Sequence, residues 1–180
     1  MRPSPPVRPC TRDDLAEVRE IYALEVREET ASFELEPPDL AEMTARFAAI
    51  EAAGLPYVVV ELEGRIAGYA YASPYRPRPA YRHTVEDSVY VARFARRQGV
   101  GRALLDAVIE RAIARGMRQM VAIIGDSAHV ASIDLHARAG FRLVGTLENV
   151  GWKFGRWLDT VIMQRDLGAG AGGPAPDGSP

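Results

Sequence analysis

The sequence contains a single cysteine, Cys10, in 180 residues. One thiol excludes an internal disulfide and a cysteine-rich metal site, and we expect no bound metal. Every apolar run is shorter than the roughly 18 residues that a membrane-spanning helix needs. Residues 1–6 also lack the apolar segment of a signal peptide. These absences predict a cytoplasmic protein without a membrane partner.

An excess of charge of one sign is also lacking. The 22 Lys and Arg residues and 24 Asp and Glu residues leave a net charge of −2. A nearly balanced surface does not attract nucleic acid in general, so any phosphate site must be local. The 47% hydrophobic and 26% charged content is typical of one folded domain. We predict that domain over residues 1–167.

Residues 168–180 form a tail of different composition. It contains only Gly, Ala, Pro, Ser and one Asp. Such a segment cannot bury enough apolar surface to offset the entropy of ordering it. We therefore predict that the tail is disordered.

A glycine loop lies between a predicted strand and a predicted helix. Gly99 and Gly101 let the backbone turn tightly and approach a ligand closely. The first turn of the following helix presents unpaired N–H groups, which suit a phosphate. The loop matches neither common nucleotide fingerprint, and a loop that only caps the helix is the alternative. The residues predicted to contact a phosphate-bearing ligand are Arg96, Arg97, Gln98, Gly99, Val100, Gly101 and Arg102.

Hydrophobic periodicity predicts an α/β fold, a mixed twisted central sheet flanked by helices. Strands are expected where short apolar or alternating runs are bounded by turn residues. Their predicted ranges are 7–10, 57–61, 65–72, 83–91, 119–125, 141–150 and 157–165. Helices are predicted over 11–27, from Pro38 to Gly54, over 100–115 and over 131–139.

Several motifs resemble one known superfamily. The spacing Arg96-x-x-Gly99-x-Gly101 resembles the Arg/Gln-x-x-Gly-x-Gly/Ala signature of the GCN5-related N-acetyltransferases (GNAT), in which this loop holds the pyrophosphate of acetyl-CoA. Residues 132–141 resemble the second coenzyme motif of that superfamily. Ser132 matches its serine, whereas His129 and His136 replace its asparagine and tyrosine.

A closer resemblance covers nearly all of residues 7–167. Segments 84–91, 121–126 and 151–159 are similar to the phosphinothricin and methionine sulfoximine acetyltransferase branch. The resemblance implies the GNAT fold, acetyl-CoA as co-substrate and a homodimer. It also implies that the backbone of Val89, Tyr90 and Val91, together with Ser132, binds the coenzyme.

Two side chains are candidates for proton transfer. Glu86 is a carboxylate in a central strand just before the glycine loop, where desolvation would raise its pKa toward that of a useful base. In the resembling branch a glutamate at this place is the proposed base. Asp87, on the opposite face, is the alternative. His136 matches a histidine of that branch and is predicted to protonate the departing thiolate; a packing or surface histidine is the alternative.

The resemblance also implies an acceptor pocket. Phe33 matches an aromatic beside the substrate, and Arg76, Arg78 and Tyr81 match residues near an amino-acid carboxylate. Arginine suits that role because it recognises a carboxylate with two parallel hydrogen bonds. The predicted reaction is acetylation of the α-amine of a small glutamate-like amino acid. An acetyltransferase for peptide or protein amines and a non-catalytic CoA-binding regulatory module are the alternatives.

The aromatic segment 152–157 is predicted to have a structural role instead of a catalytic one. We expect Trp152 and Trp157 to be core or dimer contacts, and Lys153 to be a solvated lysine. An apolar edge strand invites pairing with a second copy. The final strands are therefore predicted to lie near a dimer interface.

Overall fold

The computed structural model describes residues 5–175. Within these residues, seven strands form one sheet with four helices, confirming the predicted mixed α/β fold. The elements are β1 (Val7–Pro9), α1 (Leu15–Glu28), α2 (Leu40–Ala52), β2 (Tyr57–Leu62), β3 (Arg65–Pro74), β4 (Thr84–Val91), α3 (Val100–Ala114), β5 (Gln119–Gly125), α4 (Val130–Arg138), β6 (Arg142–Lys153) and β7 (Arg156–Asp166). The strands follow the order β1-β2-β3-β4-β5-β7-β6, and among these seven only the neighbours β4 and β5 are parallel.

Local capping explains where the first two helices begin. A capping box precedes the first helix: Thr11 N–H donates to the Asp14 carboxylate at 2.7 Å, and a short 3₁₀ turn leads into α1. The second helix was predicted from Pro38 but begins at Leu40. The Asp39 carboxylate accepts a hydrogen bond from Glu42 N at 2.8 Å and so caps the helix there.

The hairpin between β2 and β3 turns where the sequence predicts. Glu63 and Gly64 have φ values of 52° and 72°. Positive φ at both central residues is what a two-residue hairpin turn with the twist of its strands requires. The last two strands are longer than predicted, since β6 continues to Lys153 and β7 begins at Arg156.

The sheet separates two hydrophobic clusters. In one cluster α3 packs on the sheet, and Leu104 and Leu105 are fully buried. Burial of each of these side chains stabilises the fold by about 1.5–3 kcal/mol. The other packs α1 and α2 on the opposite face, where Tyr57, Tyr69 and Tyr90 lie. Alternate residues of β4 therefore point to different clusters.

The parallel strands β4 and β5 separate partway along their length. They are paired only from Thr84↔Gln119 to Asp87↔Ala122. Beyond that point β4 continues to Val91 and β5 to Gly125. The edge of β4 that faces β5 thus carries backbone N–H and C=O groups that form no hydrogen bonds with another strand among residues 5–175. These groups are available to a ligand.

Strand β6 forms one edge of the sheet, and together with its neighbour β7 it carries exposed apolar side chains. Trp152 and Trp157 are 56% and 59% exposed and contact each other edge to face, with ring centroids 5.1 Å apart. Of the two predicted roles, core or dimer contact, this exposure excludes the core of the single chain, and the dimer contact stays a prediction. Further exposed apolar side chains of β6 are Leu143, Val144, Leu147 and Val150.

The start of the predicted tail forms turns in the structure. Within residues 168–175, Gly170 N–H donates to Leu167 O at 2.9 Å, and Arg118 donates to Pro174 O at 3.2 Å. Residues 176–180 lie outside the described residues, so disorder of the tail stays a prediction. Within residues 5–175, no helix is both long and apolar enough to cross a membrane.

Candidate functional site

A narrow slot lies where β4 and β5 diverge. Its volume is about 50 Å³, and it opens between the two strands and the start of α4. The sequence-predicted residues Val89, Tyr90, Ser132 and His136 all line it. The other lining residues are Ala31, Asp87, Ser88, Ala122, Ile123, Ile124, Gly125 and His129.

The glycine loop leads from the end of β4 into α3. Arg97 and Gly99 both have positive φ, 62° and 83°, so the backbone reverses twice within three residues. Such a turn, followed by the free N–H groups of a first helical turn, forms a concave donor site for an anion. A Cβ on Gly101 would lie 3.4 Å from Leu135 and from Val91, so the helix start fits closely against both neighbouring elements.

The side chains of this loop have different tasks. Arg96 donates to Glu25 at 2.8 Å and to Glu29 at 3.2 Å, which ties the loop to α1. Gln98 donates to Phe94 O at 2.8 Å and closes the loop on itself. These two side chains hold the loop in shape, whereas Arg97 and Arg102 are exposed and Arg102 pairs with Asp106.

Glu86 lies on the α1–α2 face of β4, next to the point of divergence. The side chain is half-buried. Burial raises the pKa of Glu86, the charge of Asp87 raises it further, and the charge of Arg76 opposes both. A carboxylate with a raised pKa in this place can accept a proton from an amine.

Asp87 and His136 form a buried pair on the opposite face. Their residues are 6% and 4% exposed, and His136 Nε2 lies 2.9 Å from Asp87 Oδ2. His136 Nδ1 lies 2.7 Å from the carbonyl oxygen of Ser132, and the ring packs edge to face on Phe141. His136 is therefore neither a surface histidine nor an apolar packing group.

The partners of the imidazole show where protons lie. A carbonyl oxygen only accepts, so Nδ1 of His136 must donate to Ser132 O. The contact between Nε2 and Asp87 then needs a further proton, held on one of the two partners. Burial lowers the pKa of His136, but the hydrogen bond and charge of Asp87, with the Ser132 carbonyl, outweigh it and raise the pKa overall. The pair thus stores one proton at the edge of the slot.

Phe33 lies against Gly125, one of the residues that line the slot. A Cβ on Gly151 would lie 2.4 Å from Cε2 of Phe33, and one on Gly125 would lie 2.9 Å from its Cε1. The ring lies directly on Gly151 and leaves no room for a side chain there, whereas at Gly125 the carbonyl oxygen of Thr30 comes closer still, at 2.4 Å. This places the predicted substrate aromatic beside the slot, since Gly125 also lines it.

Lys153 holds the loop that carries Phe33. The prediction of a solvated lysine is wrong: the residue is 3% exposed, and Nζ donates to Glu29 O at 3.0 Å and to Ser32 O at 2.6 Å. Burial lowers the pKa of Lys153, opposed by the charges of Glu25 and Glu34. No local pattern reveals this role, because the two carbonyls lie more than a hundred residues away along the chain.

The remaining predicted substrate residues lie on the loop after β3. Arg76 stacks on Tyr75, with its guanidinium 5.1 Å from the ring centroid, and its charge reaches Glu86. Tyr81 contacts the same Tyr75 ring edge to face at 5.7 Å and is 41% exposed. Arg78 lies on this loop, exposed, before a short 3₁₀ turn. All three side chains are exposed, and of the three it is the charge of Arg76 that acts on Glu86.

Gly151→Ala tests the position of Phe33. The added methyl group must displace the ring, so we expect KM for the acceptor to rise about tenfold or more, with little change in KM for the acetyl donor. Gly145→Ala is the matched control, because a Cβ at that glycine of β6 meets nothing within 4 Å. Equal kinetics for the two variants would show that Phe33 has no part in acceptor binding.

These features define the class of protein. The slot between the diverging strands and the glycine loop at the start of α3 could accommodate a phosphate-bearing acyl carrier. The Asp87–His136 pair beside the slot could take part in proton transfer. Residues 18–141 match the acetyltransferase (GNAT) family. The chain belongs to this family and is an N-acetyltransferase.

Within this family, the chain is similar to acetyltransferases of phosphinothricin and of methionine sulfoximine. The chain is 56% identical over 164 residues to phosphinothricin N-acetyltransferase of Alcaligenes faecalis, covering 91% of this chain and 83% of the relative. It is 44% identical over 155 residues to L-methionine sulfoximine/L-methionine sulfone acetyltransferase of Pseudomonas paraeruginosa, covering 86% and 90%. A crystal structure of a GNAT superfamily phosphinothricin acetyltransferase from Sinorhizobium meliloti with AcCoA has a TM-score of 0.95 and 45% identity, covering 98% and 95%.

Among residues 5–175, no three or more His, Cys, Asp or Glu side chains are grouped so that they could hold a metal ion.

Proposed function

We propose that the protein transfers the acetyl group of acetyl-CoA to the α-amine of a small glutamate-like amino acid. The observation that carries this proposal is the placement of two proton-transfer groups on opposite faces of the sheet. Glu86 lies on one face and the Asp87–His136 pair on the other, where β4 and β5 diverge. A thioester in the slot would have a base on one side and an acid on the other.

The coenzyme would occupy the slot and the glycine loop. The pantetheine arm fits between β4 and β5, where the backbone of residues 89–91 can bond to its amides. The pyrophosphate fits the first turn of α3, whose N–H groups and dipole favour an anion. Ser132 and His129 line the slot between these two regions.

The transfer then follows as one direct attack. Glu86 accepts a proton from the ammonium group of the acceptor, which frees the nitrogen lone pair. The nitrogen forms a bond to the acetyl carbon, and the bond from that carbon to sulfur breaks. The nitrogen gives its second surplus proton to water, so that a neutral amide is formed. The leaving thiolate takes the proton that His136 shares with Asp87. The products are the N-acetyl amino acid and free CoA.

The acceptor carboxylate would meet Arg76 and Arg78 on the loop after β3. The charge of Arg76 already acts on Glu86, so a carboxylate there lies close to the base. The relatives support an amino-acid acceptor, since they are named as acetyltransferases of phosphinothricin or of methionine sulfoximine.

A panel of amines tests this assignment. Thiol release from acetyl-CoA is measured with phosphinothricin, methionine sulfoximine, glutamate, their decarboxylated analogues and a short peptide. We expect turnover only where a free α-amine and an α-carboxylate occur on the same small molecule. A preference for the peptide would support the protein-amine alternative, and a preference for the decarboxylated amines would refute the role of the arginines.

We further propose a cytoplasmic enzyme that works as a homodimer, without a nucleic-acid or membrane partner. The near-balanced net charge and the single, buried Cys10 support the cellular assignment. The exposed Trp152, Trp157 and β6 side chains support the dimer, because an apolar edge strand of this size pairs readily.

Light scattering tests the dimer. The full chain and a chain ending at Leu167 should both have the mass of two subunits, and both should be active. Trp152→Lys should weaken the dimer, because the exposed indole would be replaced by a charge in the interface. Ile113→Lys is the control, since that exposed apolar residue lies on α3. A monomer at micromolar concentration would contradict the dimer, and loss of activity on shortening would contradict a dispensable tail.

A further inference from the structure

Four arginines surround a cavity of about 450 Å³ beside the glycine loop. We call it the arginine basin, lined by Arg102, Arg138, Arg142 and Arg165 together with Ala139, Gly140, Gln164 and Asp166. We propose that this basin binds the 3′-phosphate on the ribose of coenzyme A. The proposal rests on the proposed use of acetyl-CoA and assigns a separate part of that ligand.

Most of the positive charge in the basin is not neutralised by neighbouring carboxylates. Arg142 donates to the neutral amide of Gln164 at 2.7 Å, and Arg165 donates to the carbonyl of Ala139. Arg102 does pair with a carboxylate, that of Asp106, at 2.6 Å. The acidic group in the lining, Asp166, accepts a hydrogen bond from Gln119 at 2.7 Å. A local excess of cations in a chain of net charge −2 indicates an anionic ligand.

The basin and the glycine loop share a wall. Arg102 belongs to the first turn of α3, and its Nη1 donates to Arg138 O at 2.9 Å, which joins α3 to the end of α4. A ligand whose pyrophosphate lies on that first turn would have its neighbouring groups beside Arg138. Coenzyme A carries a further phosphate on the ribose next to its pyrophosphate, so its chemistry fits two adjacent cationic sites.

The character of the phosphate matches the side chains present. A phosphate monoester carries close to two negative charges and accepts paired hydrogen bonds from guanidinium groups. Arg138 and Arg142 are both exposed, so water and salt screen the contact. We therefore expect a preference of about tenfold rather than an absolute requirement for the 3′-phosphate.

Calorimetry with two ligands tests the assignment. Coenzyme A and 3′-dephospho-coenzyme A are titrated into the wild-type protein, into the double variant Arg138→Ala/Arg142→Ala and into Arg115→Ala. Arg115 is an exposed arginine at the other end of α3 and serves as the control. We expect the wild type and the control to bind coenzyme A about tenfold more tightly than the dephospho form. The double variant should bind both forms with the affinity that the wild type has for the dephospho form.

Two results would overturn the basin alone. One is a wild-type protein that binds both forms equally, and the other is a double variant that keeps the full preference. A protein that binds neither form would instead contradict the use of the coenzyme itself, and the basin with it.

Discussion

Replacing Glu86 with glutamine is expected to lower kcat by about 10²–10⁴-fold, while the affinity for acetyl-CoA changes little. The amide keeps the shape of the side chain but cannot accept a proton from the ammonium group of the acceptor. Glu110→Gln is the matched control, because Glu110 is an exposed glutamate on α3. Stopped assays of thiol release and calorimetry with acetyl-CoA give the two quantities.

The pH dependence provides a second readout for Glu86. Burial and the charge of Asp87 raise the pKa of this carboxyl, and protonation removes the base. Wild-type kcat/KM should therefore fall as the pH is lowered through that raised pKa. The same fall should be absent from the pH profile of Glu86→Gln. A near-normal rate at neutral pH in the variant would assign the base to Asp87 or to ordered water.

Breaking the Asp87–His136 pair is expected to have the second large effect. Asp87→Ala leaves a buried imidazole without its charged partner, which costs about 3–5 kcal/mol of unfolding free energy. Asp87→Asn keeps the shape and still accepts a hydrogen bond, so it should cost only about 1.5–3 kcal/mol at acidic pH. Both variants should also lower kcat, since His136 loses the partner that raises its pKa.

The pH dependence of stability separates this pair from ordinary packing. The folded-state pKa of His136 is raised above its unfolded value. Its stabilisation is therefore fully present below about pH 6.5 and is lost as the pH rises through the folded-state pKa. Denaturant unfolding of the wild type and of Asp87→Asn over a pH series should show a difference that shrinks with rising pH. A difference that stays constant with pH would mean that the proton is not shared in this pair.

Local patterns predict most of the fold. The strand over 119–125 is continuous apolar sequence, and the structure has β5 over Gln119–Gly125. The Glu63–Gly64 turn and the Thr11–Asp14 capping box are short-range signals, and both are present. Element ends were less accurate where one capping side chain decides them, as Asp39 does for α2.

The sequence nominates residues for the candidate site but does not predict the contacts between them. Glu86, His136 and the glycine loop follow from their positions in the chain, but the partner of His136 does not. Asp87 and His136 are 49 residues apart, and only the pairing of β4 with β5 and the placement of α4 bring them together. The burial of Lys153 was not predicted for the same reason, since contact with a distant loop produces no pattern in the neighbouring sequence.

A crystal structure of the protein with coenzyme A and an acceptor amino acid would show whether the slot holds the thioester between Glu86 and His136. We expect the pantetheine arm between β4 and β5, with the thiol sulfur next to His136 on one side and the amine next to Glu86 on the other. Placement of the coenzyme outside the slot, or of both side chains on the same side of the thiol, would contradict the account.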